Sequence, residues 1–445
     1  MFNPDIFRSY DIRGIVPDEF DPEEAYHIGR AYAEHTGAKM VAVAKDMRTT
    51  SAQIQDGLVK GLTEGGVDVV LVGMATSPMF YFAVHYLKAE GGLMVTASHN
   101  PGRYNGIKMT RAEAVPIGGD SGLKDIRDLV QKREWKPVDR AGEVSQDATV
   151  KEAYLSEVCE MGVADGLKLA IDAGNGMAGM LLPEVMERIK GDAVKLYWEP
   201  DGSFPNHEAD PLKEENMRDL QAAVRENGAD LGVAFDGDAD RVFFTDEKGE
   251  IIPGDLTTAL IAKEVLREQP GATILYDLRS SRATKEAIEE AGGRANMCKV
   301  GHSNIKAQMR SDDAVFAGEL SGHLYFTPWY AESGLLALMK ILKIMKVSGK
   351  PMSELVSPLR RYSKTAEINF EVSEKEKVLA ELKEKYADAE IMELDGVTIS
   401  YPDWWANVRA SNTESLLRLN MEAKTKELLD SKRSEIEAII AGGNG

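Results

Sequence analysis

An apolar, β-branched run ending in an aspartate recurs three times along this chain: VAVAKD ending at Asp46, KLAID at Asp172 and TILYD at Asp277. A loop and a helix-forming stretch follow each copy. A second apolar run then appears: VDVVLVG (67–73), DLGVAFDGD (230–238) and AVFAGELSG (314–322). Strands alternating with helices predict βαβ units, because a crossover between parallel strands needs a dozen or more residues and a helix supplies them. The intervals between the three aspartates are domain-sized and far longer than a solenoid repeat. Three related α/β domains with mixed or parallel sheets is the economical reading; one large α/β sheet would also repeat such units.

Beyond about residue 365 the pattern changes. AEINFEVS predicts a strand, KEKVLAELKEKYAD an amphipathic helix, GVTISYPDWWANVRAS a hairpin, LLRLNMEA a strand, and TKELLDSKRSEIEAIIAG a helix that stops at glycine. This is a smaller α+β C-terminal domain. The stretches 131–157, 253–257 and 363–368 are the expected boundaries, dividing the chain into 1–150, 151–255, 256–365 and 366–445.

Charge narrows the function classes. The chain carries 73 Asp+Glu against 53 Lys+Arg, a formal net charge of −20. Long-range repulsion makes such an anion a poor general binder of nucleic acid or anionic membrane. It still suits a site that holds a cation, or one where basic groups converge on a small anion. No apolar run reaches the ~18 residues of a membrane span. Leu335 to Met345 is broken by lysines at helical spacing and predicts an amphipathic helix. The start, MFNPDIFRSYDIRG, lacks a basic segment followed by an apolar one and is no signal peptide. Cys159 and Cys298 form no metal-ligand pattern and are expected as free thiols in a reducing compartment, the cytoplasm.

Four short segments carry chemistry. Asp236-Gly237-Asp238-Ala239-Asp240-Arg241 packs three carboxylates into five residues between the strand-like runs LGVAF and VFFT. That density is costly unless a cation neutralises it, and oxygen-only ligands favour Mg²⁺ or Ca²⁺. An EF-hand would place Glu247 at its last position but needs glycine where Arg241 stands. The plain alternative is a solvated acidic turn. Thr96-Ala97-Ser98-His99-Asn100-Pro101 follows GGLMV and sets a hydroxyl on a sharp turn, with YNGIKM (104–109) close behind. A serine near a histidine and a lysine suits a nucleophile; it equally suits a polar turn satisfying its own backbone. Gly318-Glu319-Leu320-Ser321-Gly322-His323 offers an acceptor, a hydroxyl and a titratable group between two glycines, or else a capped helix entry. Arg409-Ala410-Ser411-Asn412-Thr413-Glu414-Ser415 would cradle a phosphate dianion, or cap a turn. Gly301-His302-Ser303-Asn304 has a similar small polar texture.

Together these motifs resemble the α-D-phosphohexomutase superfamily, above all its bacterial phosphomannomutase/phosphoglucomutase group. The pieces are YDIRG (10–14), TASHNP (96–101), NGIKM (105–109), DGSFPNHEADP (201–211), DGDADR (236–241), VGHSN (300–304), GELSGH (318–323) and RASNTES (409–415), in family order over nearly the whole chain. The resemblance implies a heart-shaped assembly of four domains. It implies phosphoryl transfer between the 1- and 6-positions of a hexose through a phosphoserine and a hexose 1,6-bisphosphate. Ser98 would be that phosphoserine, and Asp236, Asp238 and Asp240 would bind Mg²⁺ together with it. Arg241 would hold the transferring group, with Lys108 and His323 as acid and base and Arg13 and His302 in support. Glu319 and Ser321 would bind sugar hydroxyls. Tyr10, Arg279, Arg409, Ser411, Asn412 and Thr413 would complete the substrate site, the last four holding the non-reacting phosphate. Glucose 1,6-bisphosphate would serve as activator and intermediate.

Two departures bear on the substrate. Ala410 and Ser415 replace the prolines common in the phosphate loop. DGDADR and Asn412 stand where glucosamine-phosphate mutases more often have DGDGDR and glycine, which favours mannose or glucose. Phosphoglucosamine mutase is the family rival. A serine-dependent sugar phosphatase and a non-catalytic phosphosugar binder are the rivals from other classes. No nucleic-acid or membrane partner is expected, and the chain is expected as a monomer or weak homodimer.

Overall fold

The computed structural model describes residues 2–410 and 416–443. They form four sheets in succession. The first runs, edge to edge, Ile12–Ile15, Tyr104–Arg111, Gly91–Val95, Met40–Lys45, Asp68–Met74 and Val144–Gln146. The second runs Ile251–Ile252, Val242–Thr245, Leu231–Phe235, Lys168–Asp172 and Asp192–Leu196. The third runs Arg294–Cys298, Thr273–Asp277, Ala314–Gly318, Leu324–Phe326 and Ala331–Glu332. Each has a parallel centre and an antiparallel extension. The fourth, from residue 363 to 423, pairs antiparallel throughout. The fold is therefore three mixed-sheet α/β units followed by a smaller α+β unit.

The central strands Gly91–Val95, Leu231–Phe235 and Thr273–Asp277 are buried at every position. Helices cover both faces of such strands, which is why they read as unbroken apolar runs. One apolar core runs through the first three units, from Ala42 to Leu359. The C-terminal unit packs a core of its own, drawn only from residues 372–440.

The sequence repeat needs one correction. In the first unit the second apolar run is the next strand, Asp68–Met74, whereas Leu231–Phe235 and Ala314–Gly318 are each two strands on. The intervening strands Asp192–Leu196 and Arg294–Cys298 are half-exposed sheet edges, so they present no continuous apolar run. The GELSGH segment differs from a helix entry too: it is the turn between the antiparallel strands Ala314–Gly318 and Leu324–Phe326.

The three repeated aspartates perform one task. Each carboxylate accepts a hydrogen bond from the backbone N–H two residues on: Arg48 to Asp46 at 3.1 Å, Gly174 to Asp172 at 2.7 Å, Arg279 to Asp277 at 2.6 Å. Each also holds one basic side chain, respectively Arg48, His207 and Arg279. This local turn bond ends the strand, and the same carboxylate anchors a basic side chain beside it.

Candidate active site

Ser98 stands at the end of the strand Gly91–Val95 with φ at +50°, a left-handed conformation that costs a non-glycine residue about 1–3 kcal/mol. The loop is bound to hold it. Ser98 N–H donates to Thr96 Oγ1 at 2.9 Å. The buried Arg48 guanidinium donates to four loop carbonyls, those of Ser98 (2.6 Å), Asn100 (2.7 Å), Pro101 (2.9 Å) and Tyr104 (3.0 Å). Gly237 is required opposite: a Cβ there would lie 2.4 Å from the Ser98 carbonyl oxygen. The hydroxyl therefore reaches the second unit, and Ser98 Oγ donates to Asp236 Oδ2 at 2.9 Å. His99 Nδ1 is 3.1 Å from Ser98 Oγ. Burial, then the Arg241 and Arg13 charges, hold the His99 imidazole well below its usual value, so it is neutral.

Asp236, Asp238 and Asp240 are fully buried, with a ligating oxygen of each within 4.8 Å of the others. Burial and the neighbouring charges of Asp240 and Asp238 push Asp236 well above the carboxylate range. Asp240 is held well below it, because Lys108 and His323 outweigh the effect of burial. Lys108 Nζ lies 2.7 Å from Asp238 and 2.6 Å from Asp240. Burial alone would lower the Lys108 ammonium, but these two carboxylates raise it well above its usual value. Two oxygens, Asp238 Oδ1 and Asp240 Oδ1, are buried with no hydrogen-bond partner among the described residues, the second lying 3.3 Å from His323 Nε2. Three clustered carboxylates, these buried oxygens among them, and a serine hydroxyl make an all-oxygen donor set that fits Mg²⁺.

His323 joins this cluster to the third unit. Its Nε2 lies 3.3 Å from Arg241 Nε and 3.3 Å from Asp240 Oδ1, and its Nδ1 lies 2.9 Å from Ser321 Oγ and 3.3 Å from Glu319 Oε2. Burial would lower this imidazole, but Asp240 and Glu319 lift it to about 9. Glu319 accepts from Tyr325 OH at 2.6 Å and from Gly301 N–H at 3.0 Å. Arg279 is bidentate on Asp277 and lies 3.7 Å from Glu319. Tyr10 OH donates to the Val300 carbonyl and the ring meets His302 edge-on, 5.5 Å between centroids. Burial, then the Lys306 and Lys108 charges, keep His302 neutral. Arg13 pairs with Asp11 at 2.9 Å and donates to Asn100 and to the Ala97 carbonyl at the foot of the serine loop.

These groups surround one cleft of about 640 Å³, within the range of small-molecule sites. Tyr10, Arg13, Ser98, Lys108, Asp240, Arg241, Arg279, His302, Glu319, Ser321 and His323 line it. Asp236 and Asp238 are buried and do not line it. Arg409 is set behind the wall, bonded to Glu367 at 2.8 Å. Ser411, Asn412 and Thr413 fall outside the described residues.

Sequence reasoning missed Arg48, Asp210, Glu367 and Arg418. Asp210, 3.6 Å from Arg241, lies inside DGSFPNHEADP, and Arg418 follows the RASNTES loop, so two of the four were near motifs. Arg48 and Glu367 carry no local signal; only tertiary structure brings them to the site.

Comparison with known proteins agrees with this arrangement. Family models for phosphoglucomutase/phosphomannomutase match in four consecutive parts: alpha/beta/alpha domain I over residues 4–137, domain II over 152–249, domain III over 253–362, and the C-terminal domain over 367–439. A phosphomannomutase of Salmonella montevideo is 38% identical over 451 residues, covering 96% of this chain and 99% of the relative. A phosphomannomutase of Methanocaldococcus jannaschii is 39% identical over 442 residues, covering 98% and 97%. The crystal structure of a phosphoglucomutase/phosphomannomutase family protein from Burkholderia thailandensis superposes with a TM-score of 0.90 at 32% identity, covering 100% and 98%. The chain belongs to the phosphoglucomutase/phosphomannomutase family of phosphohexomutases, and is thereby an isomerase of hexose phosphates.

Proposed function

We propose that this enzyme interconverts the 1- and 6-phosphates of mannose or glucose through phosphorylated Ser98 and the hexose 1,6-bisphosphate. The observation that carries this reading is the contact between Ser98 Oγ and Asp236 at 2.9 Å, over three buried carboxylates beside a phosphosugar-sized cleft. A phosphoserine there would be repelled by the aspartates unless a cation intervened. A Mg²⁺ held by Asp236, Asp238, Asp240 and the Ser98 phosphate would neutralise that charge and stabilise what develops in transfer.

The protein's own groups do the rest. The free hydroxyl of a bound hexose monophosphate attacks the Ser98 phosphorus; a sugar O–P bond forms and the Oγ–P bond breaks. Arg241 faces the transferring group. Lys108 and His323, both held protonated by the neighbouring carboxylates, are the acid–base candidates: one gives its proton to Oγ as the Oγ–P bond breaks and then takes the proton of the attacking hydroxyl. Glu319 and Ser321 grip sugar hydroxyls in either orientation. Arg409, Ser411, Asn412 and Thr413, with Arg279 and Tyr10, hold the phosphate that is not reacting. The bisphosphate turns in the cleft, and its other phosphate returns to Ser98. Asn412 and Ala239 support mannose and glucose over glucosamine. The free thiols Cys159 and Cys298 fit a cytoplasmic setting.

The test is a coupled assay with Mg²⁺ and catalytic glucose 1,6-bisphosphate, comparing mannose 1-phosphate, glucose 1-phosphate and glucosamine 1-phosphate. Mannose and glucose phosphates are expected to isomerise, with glucosamine phosphate poor. Ser98→Ala is expected to abolish turnover and retain phosphosugar binding. Release of inorganic phosphate without isomerisation would make the chemistry hydrolytic and overturn the reading.

A further inference from the structure

Glu367 lies between the strands Ser363–Lys364 and Ile368–Glu371, where the chain enters the fourth sheet. Its carboxylate lines the cleft and meets basic groups from two units. Oε2 accepts from Arg409 Nη2 at 2.8 Å and from Asn420 Nδ2 at 3.1 Å, and lies 3.8 Å from Arg279 Nη1. Oε1 lies 3.4 Å from Arg418 Nη1. Burial would raise this carboxyl, but Arg279 and Arg409 hold it below the usual range.

Several guanidinium groups converging on one pair of oxygens is how proteins bind phosphate. Arg279 is already matched by Asp277 at 2.8 Å and Glu319 at 3.7 Å, so Glu367 answers chiefly to Arg409 in the fourth unit.

We propose that Glu367 is a resident anion of the distal phosphate cradle: its carboxylate closes the cradle between substrates, and the incoming phosphate must displace it. This inference rests on the reading of Arg409 as a phosphate ligand. It also supplies a reason for the residue. A cradle without an internal competitor would hold the distal phosphate of the bisphosphate more tightly, in the ground state as well as in transfer, and so hinder the turn of the intermediate.

The experiment is a calorimetric titration with inorganic phosphate of the full-length enzyme and of Glu367→Gln, Glu367→Ala and Arg409→Ala. Removing one like charge from a partly exposed site is expected to tighten phosphate binding about tenfold in both Glu367 variants, and to steepen its salt dependence. Arg409→Ala is expected to weaken it at least as much. If Arg409→Ala loses phosphate but both Glu367 variants bind no better than the parent, Glu367 is a strut for Arg409 and the inference is overturned. If Arg409→Ala binds phosphate like the parent, the cradle itself is misplaced, and both readings fall.

Discussion

Arg48→Lys is the substitution that most directly tests how Ser98, the proposed nucleophile, is presented. The guanidinium uses Nε on Asp46, Nη1 on the Pro101 and Tyr104 carbonyls, and Nη2 on the Ser98 and Asn100 carbonyls. A lysine ammonium has three donors. With one kept on Asp46, at least two of the four carbonyls lose their partner. Each bond from a charged donor contributes about 1.5–3 kcal/mol, so the loop loses at least about 3 kcal/mol of support. That exceeds the lower bound on the strain of holding Ser98 at positive φ. At 1.36 kcal/mol per tenfold, the population with Ser98 aimed at Asp236 falls by about 100-fold. The distal phosphate and sugar contacts are untouched. Steady-state kinetics should therefore show kcat down about 100-fold with KM within about threefold, and intact-mass measurement should show Ser98 phosphorylated more slowly by glucose 1,6-bisphosphate. A kcat within threefold of the parent, or an equal loss in kcat and rise in KM, would refute the argument that Arg48 acts by holding this loop.

Other outcomes follow from the same geometry. Asp238→Asn removes the charge facing Lys108 and should raise the Mg²⁺ needed for half-activation more than tenfold while cutting the rate about 100-fold; an unchanged metal titration would place the ion elsewhere. Lys306 and Glu332, 2.6 Å apart with at most 1% of either side chain exposed, form a buried pair, so Lys306→Met should cost about 3–5 kcal/mol by leaving a bare carboxylate. Adding Glu332→Leu should recover most of that in urea unfolding; a double variant no more stable than the single would contradict it. His207 is lowered by burial but raised overall by its bond to Asp172. Its stabilising proton is fully bound below the unfolded pKa of about 6.5 and is lost as pH rises through the higher folded value. His207→Gln should remove that alkaline decline in stability, and an identical pH profile would count against the pairing.

The sequence made the interior strands plain and the edges obscure. VAVAKD, KLAID and TILYD read clearly because both faces of their strands are covered, whereas DAVKL and RANMC, wet on one side, gave no such run. The aspartates at the strand ends were visible as punctuation, but not the shared turn they make, which needs the backbone two residues on. Within the site, chemistry that is local in sequence was legible: the three aspartates, the serine turn and the GELSGH turn. Chemistry assembled across the chain was not. Nothing around Arg48 announces four carbonyls from a loop some fifty residues later, and a lone glutamate at position 367 resembles any surface carboxylate until Arg279, Arg409 and Arg418 are seen around it.

The separate cores have a consequence for exchanging parts. Three look-alike sheets invite the idea of interchangeable modules, yet the first two are fused at atomic contact, with Gly237 against the Ser98 carbonyl and Ser77 N–H bonded to the Asp238 carbonyl at 2.9 Å. A chimera that took its first unit from one relative and its second from another would have to match at these points or lose the placement of Ser98. The C-terminal unit is attached differently. Polar ties cross its seam, among them Arg282 reaching Ser400, Tyr401 and Trp404, and its apolar cluster draws on no residue of the other units. It is the one unit that can be transplanted, or drift under selection for a different sugar phosphate, without reopening the common core.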